Sequence, residues 1–581
     1  MKKTVDWLLA LLLFSLPVKF GGLAVMPEAG GFYPAHPIDW LYLPFPPHSL
    51  AFAGMLMLLL ALFTVKKKEY PPRLWIFAGA WMIIPALAAL PGMIRGESVI
   101  LTGELSLLLG CGSVIAAAAL ILSDRPERAM FFAGAILAGG VFTALYGWHQ
   151  HLVTLDETRR FVAEQEAAGI AVSEGMRLKL TDPRIYSTLA SSNTLASLLM
   201  MMAILGGFCG SRWSKSISPP RTSRIFFLLL NCAVWLPVLA LTRSRSVILC
   251  LSAAGLLALF SHPKISWRWR IAGFVAGLVI IAGGVFYAVH YGRGVASMGE
   301  RADYWRTCAI LCREYPLTGA GWGEFFRTHM QIKVSAVDES ARDPHNVVAA
   351  FASQCGIPSG LLMLAILIYP LVLLWKKRFQ KSLAGAVFWC GVIFTIHSFI
   401  DCDWQVPALI AVMGVLYAIG IVENGEKTLS LPGAGFALAA TVILGAAAAG
   451  VWQSYIYLAG DKALSRLQDK VHPPTRQIAA DLAPFTVEYL AGEAAKYRPA
   501  SAVIPMITGD WYYQCGDLAA AETAFYRALE LDPVRPAAYM RLARIALLRG
   551  DALKAESFRQ QAQKLFPRSR HYTVKSLYRQ E

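Results

Sequence analysis

Down to about residue 458 the chain alternates long apolar stretches with short polar ones. Crossing roughly 30 Å of hydrocarbon as a helix takes about 20 apolar residues. About 13 runs of that kind occur, centred near Phe14, Met57, Ala80, Gly110, Ala138, Met200, Trp235, Ala254, Val279, Met363, Ile393, Met413 and Gly445. Pro and Gly interrupt several, which a membrane tolerates where neighbouring helices satisfy the freed backbone groups. The first run follows Met1, Lys2 and Lys3 as in a signal peptide, but no small-residue cleavage site follows cleanly and more runs do. It is expected to remain as an uncleaved first helix. The pattern predicts an all-α chain, a polytopic transmembrane helical bundle of about 12–13 spans over residues 1–458. Two long connecting loops are expected, at about 148–186 and 291–345.

From about residue 459 the sequence turns polar and helix-forming, predicting a separate soluble unit over 459–581. Within it Gly516-Asp517, Ala521, Ala528, Leu531 and Pro533 recur 34 positions later as Gly550-Asp551, Ala555, Ala562, Leu565 and Pro567. That period and its small/large alternation resemble tetratricopeptide repeats. A helix pair of this type buries its apolar face only by stacking on another. The helical stretch from about Gln477 to Tyr497 is expected to complete the stack. Such a unit suits docking of a protein partner better than catalysis.

Composition sharpens the membrane reading. Of 581 residues 56% are hydrophobic and only 16% charged, against roughly 25% charged in soluble chains. Mean hydropathy is +0.48. The net charge of +16 would suit a nucleic-acid partner, but the bases are dispersed in short runs between apolar segments. Lys2-Lys3, Lys66-Lys67-Lys68, Arg125 with Arg128, Arg212 to Arg224, Lys264 to Arg270 and Lys376 to Lys381 all fall on one side of the expected map. Such runs mark cytoplasmic loops, and no nucleic acid is expected. The two long loops, with balanced charge, then face outward. An odd number of spans places the N-terminus inside and the C-terminal unit outside, in a plasma membrane. The ten cysteines form no CxxC pair or metal spacing and read as packing residues.

On this map four outward segments hold residues that lipid disfavours. The short turn Thr242-Arg243-Ser244-Arg245-Ser246 places two arginines between apolar spans. They either snorkel to headgroups or form an anion site, since a guanidinium fork matches phosphate. Asp182-Pro183-Arg184 leads into Ser191-Ser192-Asn193, where Asn193 is a helix cap or an interhelical hydrogen-bond donor. The second loop carries Arg301, Trp305 and the run Pro316 to Gly323, and closes on Asp343-Pro344-His345-Asn346. His345, at the lip of a span, is a candidate general base. The turn His397 to Pro407 adds Asp401 and Asp403. Two carboxylates beside a histidine raise the question of a metal, but the spacing fits no ligand rule and none is expected. Pairing of both acids with the arginines of neighbouring loops is expected instead. That all four clusters face one compartment weighs more than any of them singly.

These residues resemble the O-antigen ligase and polymerase family of bacterial envelope glycan enzymes. The resemblance is carried by Arg184, Asn193, the Thr242–Arg245 turn, Arg301, Trp305, Pro316 with its glycines, His345-Asn346, Gly356 and the 397–407 turn, over roughly residues 180–420. It implies a metal-independent, cofactor-free glycosyl transfer at the periplasmic face of the inner membrane. The donor would be an undecaprenyl-pyrophosphate-linked glycan; lipid A-core, another glycan or a protein would be the acceptor. By resemblance Arg184, Arg245 and Arg301, with Arg243, hold the pyrophosphate and His345 assists the acceptor. Asn193, Trp305, Asn346, Asp401 and Asp403 support them. Preorganised guanidiniums in a dry site suit a leaving pyrophosphate. Ser246 departs from the family, which usually has glycine there. Ligase, polymerase and protein O-oligosaccharyltransferase remain open within the family. Outside it stand a lipid-linked glycan transporter, disfavoured by the near absence of mid-span charges, and a non-enzymatic envelope scaffold.

Overall fold

The computed structural model describes residues 1–22, 44–45, 47–65, 69–95, 103–167, 182–189, 191–214, 220–290, 295–334, 341–425, 429–430, 433–471 and 481–566. Among the described residues the chain is all-α apart from one two-residue antiparallel pairing of Glu69–Tyr70 with Leu429–Ser430. Every expected run centre lies in a helix. Among the described residues six helices are long and apolar enough to cross a membrane, and four shorter apolar helices join them. The bundle centres on Pro407–Glu423, buried from Pro407 through Ile421, and on Gly103–Asp124. Helices apolar on every face pack in a core or face lipid, and these two are surrounded by Lys2–Lys19, Pro47–Thr64 and Leu383–Ser398. One end is pinned by Asp6, which takes Arg125 at 2.7 Å and Arg128 at 3.0 Å, while Lys2 holds Asp124 at 2.7 Å.

The expected loops differ in form. The segment from 148 is not a loop at its start, because Ala129–His149 passes through one π turn, Gln150–Thr154, into Leu155–Ala167. Its polar, helix-favouring sequence, with Arg159 bonded to Asp156 one turn earlier, continues the helix past its apolar part. The second loop is built on Val295–Glu314 and Phe325–Ile332. The 39-residue helix Gly433–Val471 runs unbroken across the expected boundary at 458. Asp461, near its end, is paired with Arg498 and lies 3.7 Å from His48.

Beyond it helices Pro484–Tyr497, Val503–Gln514, Leu518–Leu531, Pro536–Leu548 and Ala552–Leu565 follow one another. The 34-residue recurrence has a geometric counterpart. Gly516 and Gly550 both turn at φ near +80°, and Asp517 and Asp551 cap the next helices through Ala520 N and Lys554 N, both at 2.9 Å. Ala521, Ala528, Ala555 and Ala562 are fully buried between helices. The stretch at 472–480 lies outside the described residues, so the expected start near Gln477 is not seen.

Candidate active site

Helices Ser246–Ser261, Leu383–Ser398 and Pro407–Glu423 have 16, 16 and 17 residues. At 1.5 Å per residue they measure about 24–26 Å, less than the roughly 30 Å of hydrocarbon. Their ends on one side carry Ser246, His397 and the 401–405 turn, and His397 and Asp403 are wholly buried there.

Two histidine–carboxylate pairs lie in this recess. His397 Nδ1 meets Asp403 Oδ2 at 2.8 Å, and His345 Nδ1 lies 3.5 Å from Asp401 Oδ1. The expectation that Asp401 and Asp403 pair with arginines is therefore corrected: each serves a histidine. Both acids are at most 3% exposed, whereas Arg243 and Arg245 lie on an exposed turn, so the histidines are the partners at that depth. The sites are stitched together by Asn193. Its Nδ2 donates to Asp401 Oδ2 at 2.6 Å and its Oδ1 accepts from Ser244 at 2.8 Å. Asn193 is thus not the helix cap; Ser191 is, in a reciprocal box with Thr194.

His345 is set from several sides. Its backbone N–H donates to Asp343 Oδ1 at 2.7 Å, its ring stacks on Tyr304 at 6.0 Å, and the Trp305 indole holds Pro344 O at 3.0 Å. Asn346 caps Val347–Cys355 through Ala349 N at 3.0 Å and reaches Phe399 O at 3.3 Å. Burial pulls the His345 imidazolium down, but Asp401 and Asp343 outweigh it and hold its pKa above the usual value. Burial raises Asp401 too, yet the two histidines and the Cys402 N–H hold it below the carboxylate range. Asp343, fully enclosed, is pushed up to about 7 by burial against the pull of His345.

His345, Asp401 and Cys402 bring three ligand-type atoms within 4.8 Å of one another. Burial with three nearby carboxylates holds the Cys402 thiol well above its usual pKa. The thiol donates to Asp401 at 3.4 Å.

The arginines sit higher. Arg243 and Arg245 are exposed on the turn between Pro220–Leu241 and Ser246–Ser261. Arg184 donates through Nε to both Asp182 oxygens, at 2.7 and 3.0 Å, and its segment lies beside the turn through Ile185 N to Leu241 O at 3.4 Å. Burial would raise Asp182, but Arg184 and Arg243 hold it below its ordinary value. Arg301, half-buried, is near enough for its charge to act on both His345 and His397. Three non-glycine residues have positive φ among those described, Ser187 at 54°, Arg243 at 49° and His345 at 54°, and two of them are site residues. Strained backbone of this kind gathers at functional sites.

Sequence reasoning missed Ser197, which donates to Asp403 at 2.7 Å, Ser244 as the partner of Asn193, and Tyr304. A polar residue one turn into an apolar span, as Ser197 is, was the available signal.

The second loop is locked to the His345 helix by backbone contact. Ala320 N and Gly321 N donate to Ser353 O and Gln354 O at 2.8 and 2.9 Å, and Ile357 N donates to Pro316 O at 2.8 Å. Trp322 packs on Phe351 and Trp404 at 4.6 and 5.0 Å. Gly356 has φ +90°, and a Cβ there would stand 2.1 Å from Leu317 O; one at Gly319 would stand 2.2 Å from the Gln354 carbonyl carbon. Gly356→Ala is expected to cost at least the roughly 1–3 kcal/mol of a strained residue, read as a fall in the unfolding temperature in detergent with loss of activity. An unchanged melting temperature would refute the interlock.

Residues 230–364 match the family model described as O-Antigen ligase. That span includes Arg243, Arg245, Arg301 and His345 and leaves Arg184, Asn193, Asp401 and Asp403 outside. No curated protein matches the chain.

Proposed function

We propose that this chain, a multi-pass membrane member of the O-antigen ligase family, transfers a glycan from undecaprenyl pyrophosphate to an acceptor hydroxyl on the periplasmic face of the inner membrane. The observation that carries the reading is a partly exposed histidine whose Nδ1 lies 3.5 Å from a buried carboxylate, His345 beside Asp401, within the field of Arg301. With Nδ1 toward Asp401, the Nε2 of His345 takes the acceptor proton as the hydroxyl oxygen bonds to the anomeric carbon. The bond from that carbon to the pyrophosphate oxygen breaks, and the departing dianion gains charge. Arg301, Arg243, Arg245 and Arg184 receive it in this reading, and positive charge already gathered there lowers the barrier. Asp182, bonded to Arg184 and within the field of Arg243, would hold Arg184 near the turn between turnovers.

A lipid A-core, another glycan or a protein serves as acceptor, and the helical unit after 483 presents a docking surface for it or for a partner protein. Deletion of the gene is expected to remove or shorten one surface glycan; an unchanged glycan profile would sink the reading. The orientation is tested independently. Alkaline phosphatase fused after Ala500 is expected to be active and a fusion at Lys381 silent, following the basic runs; the reverse pattern would place the arginines in the wrong compartment for this chemistry.

A further inference from the structure

We infer that Ser246, His397 and Asp403 form a buried positioning relay in which His397, donating through Nε2–H, holds the arginine-bearing turn 242–246 in its donor-binding shape. The inference rests on the pyrophosphate reading of Arg243 and Arg245. Its basis is a proton count along one chain of contacts.

The Asn193 amide nitrogen faces the Asp401 carboxylate at 2.6 Å, so its Oδ1 is left as acceptor only. Ser244 lies 2.8 Å from that oxygen and spends its hydroxyl proton there. The 2.7 Å contact between Ser244 and Ser246 must then be closed by the Ser246 proton. Ser246 has none left for His397 Nε2, 2.8 Å away, so the hydrogen on that edge belongs to the ring. On the other edge Nδ1 lies 2.8 Å from Asp403 Oδ2, which also takes the Ser197 hydroxyl at 2.7 Å. The ring and carboxylate share a second proton there. A ring protonated only on Nδ1 would leave two oxygen or nitrogen lone pairs facing each other within the chain, a costly arrangement in a dry site. The donor direction therefore runs one way, from His397 through Ser246, Ser244 and Asn193 to Asp401.

The turn needs such a hold. Arg243 sits at φ +49°, between the end of the preceding helix, where its N–H donates to Ala240 O at 3.0 Å, and Ser244, whose N–H donates to Thr242 Oγ1 at 3.3 Å. Strained backbone persists where its surroundings determine it. Asp403 and His397 are fully buried and touch no reacting atom in the scheme above. They act through the serines, so they are positioning residues.

The test uses the full chain in detergent with undecaprenyl pyrophosphate as probe, and undecaprenyl monophosphate as the comparison. Ser246→Ala and His397→Ala are expected to weaken pyrophosphate binding about tenfold each, the scale of a lost hydrogen bond to a charged chain. His397→Gln, whose amide N–H reaches the Nε2 position, is expected to recover most of it. Unliganded melting temperature of Ser246→Ala stays near wild type, which separates positioning from folding. Should His397→Ala fail to fold, Ser246→Ala and His397→Gln decide alone. Wild-type binding in Ser246→Ala, or a His397→Gln variant that binds tenfold more weakly than wild type, overturns the relay. Arg243→Ala with Arg245→Ala is the control. Wild-type binding in that double variant brings down the pyrophosphate reading, whereas weak binding there with normal binding in Ser246→Ala brings down the relay alone.

Discussion

Replacing His345 with alanine is expected to lower glycan transfer by about 10²–10⁴-fold, the usual worth of a positioned general base, while undecaprenyl pyrophosphate binds as before. The companion variant is Asp401→Asn. A base works in its neutral form, so transfer should rise with pH through the His345 titration. Burial alone lowers that pKa, and Asp401 and Asp343 bring it above the ordinary 6.5. Removing the Asp401 charge lets burial prevail, so the half-activity point should move to lower pH and the maximal rate should fall with the weaker base. A pH–rate profile of purified enzyme, with transfer read on an acceptor glycan, checks both. A His345→Ala enzyme with wild-type rate and profile would leave the histidine a structural residue. So would an Asp401→Asn profile displaced upward.

Arg301→Lys and Arg245→Lys are the second large expectation. Loss of one preorganised donor to a developing oxyanion costs about 10²–10³-fold in turnover, and an ammonium cannot supply a two-pronged contact. Arg184→Lys should cost less, because Arg184 is already engaged with Asp182 on both carboxylate oxygens and is shared between that acid and solvent. Protein level and melting temperature are followed alongside turnover. Normal transfer in all three lysine variants would return the arginines to anchoring at lipid headgroups, the other reading their sequence allowed.

The apolar runs foretold the helices well, because a residue's preference for lipid is local and the bundle adds little to it. The 34-residue recurrence likewise reappears as paired glycine turns and aspartate caps, since both are local devices. Counting sides of a membrane pointed to the 242–246 turn, Asn193 and the 397–407 turn together, and Ser244, Asn193 and Asp401 are joined by hydrogen bonds. What the chain order did not carry was depth. Asp401 and Asp403 look equivalent beside exposed arginines, and only their burial assigns them to His345 and His397. Ser246 was noticed as a departure from glycine, but its bond to His397 spans 151 positions and has no local signature. Ser197 was hidden for the same reason, a single hydroxyl in an apolar helix whose partner lies 206 residues away. Helical continuation past His149 was missed because polarity was taken to end the helix along with the membrane.

The helix Gly433–Val471 turns the two parts of the chain into a phase-locked shaft. Its 39 residues make a rod of about 58 Å at 1.5 Å per residue, with no joint where lipid-facing sequence gives way to polar sequence. Whatever docks on the distal helices is therefore offered to the site at one azimuth. Adding one residue near 458 would rotate everything beyond it by about 100° and move it about 1.5 Å, whereas adding seven, about two turns, would restore the heading and only lengthen the reach. Transfer should thus oscillate with insert length, a gearing that a flexible tether could not impose.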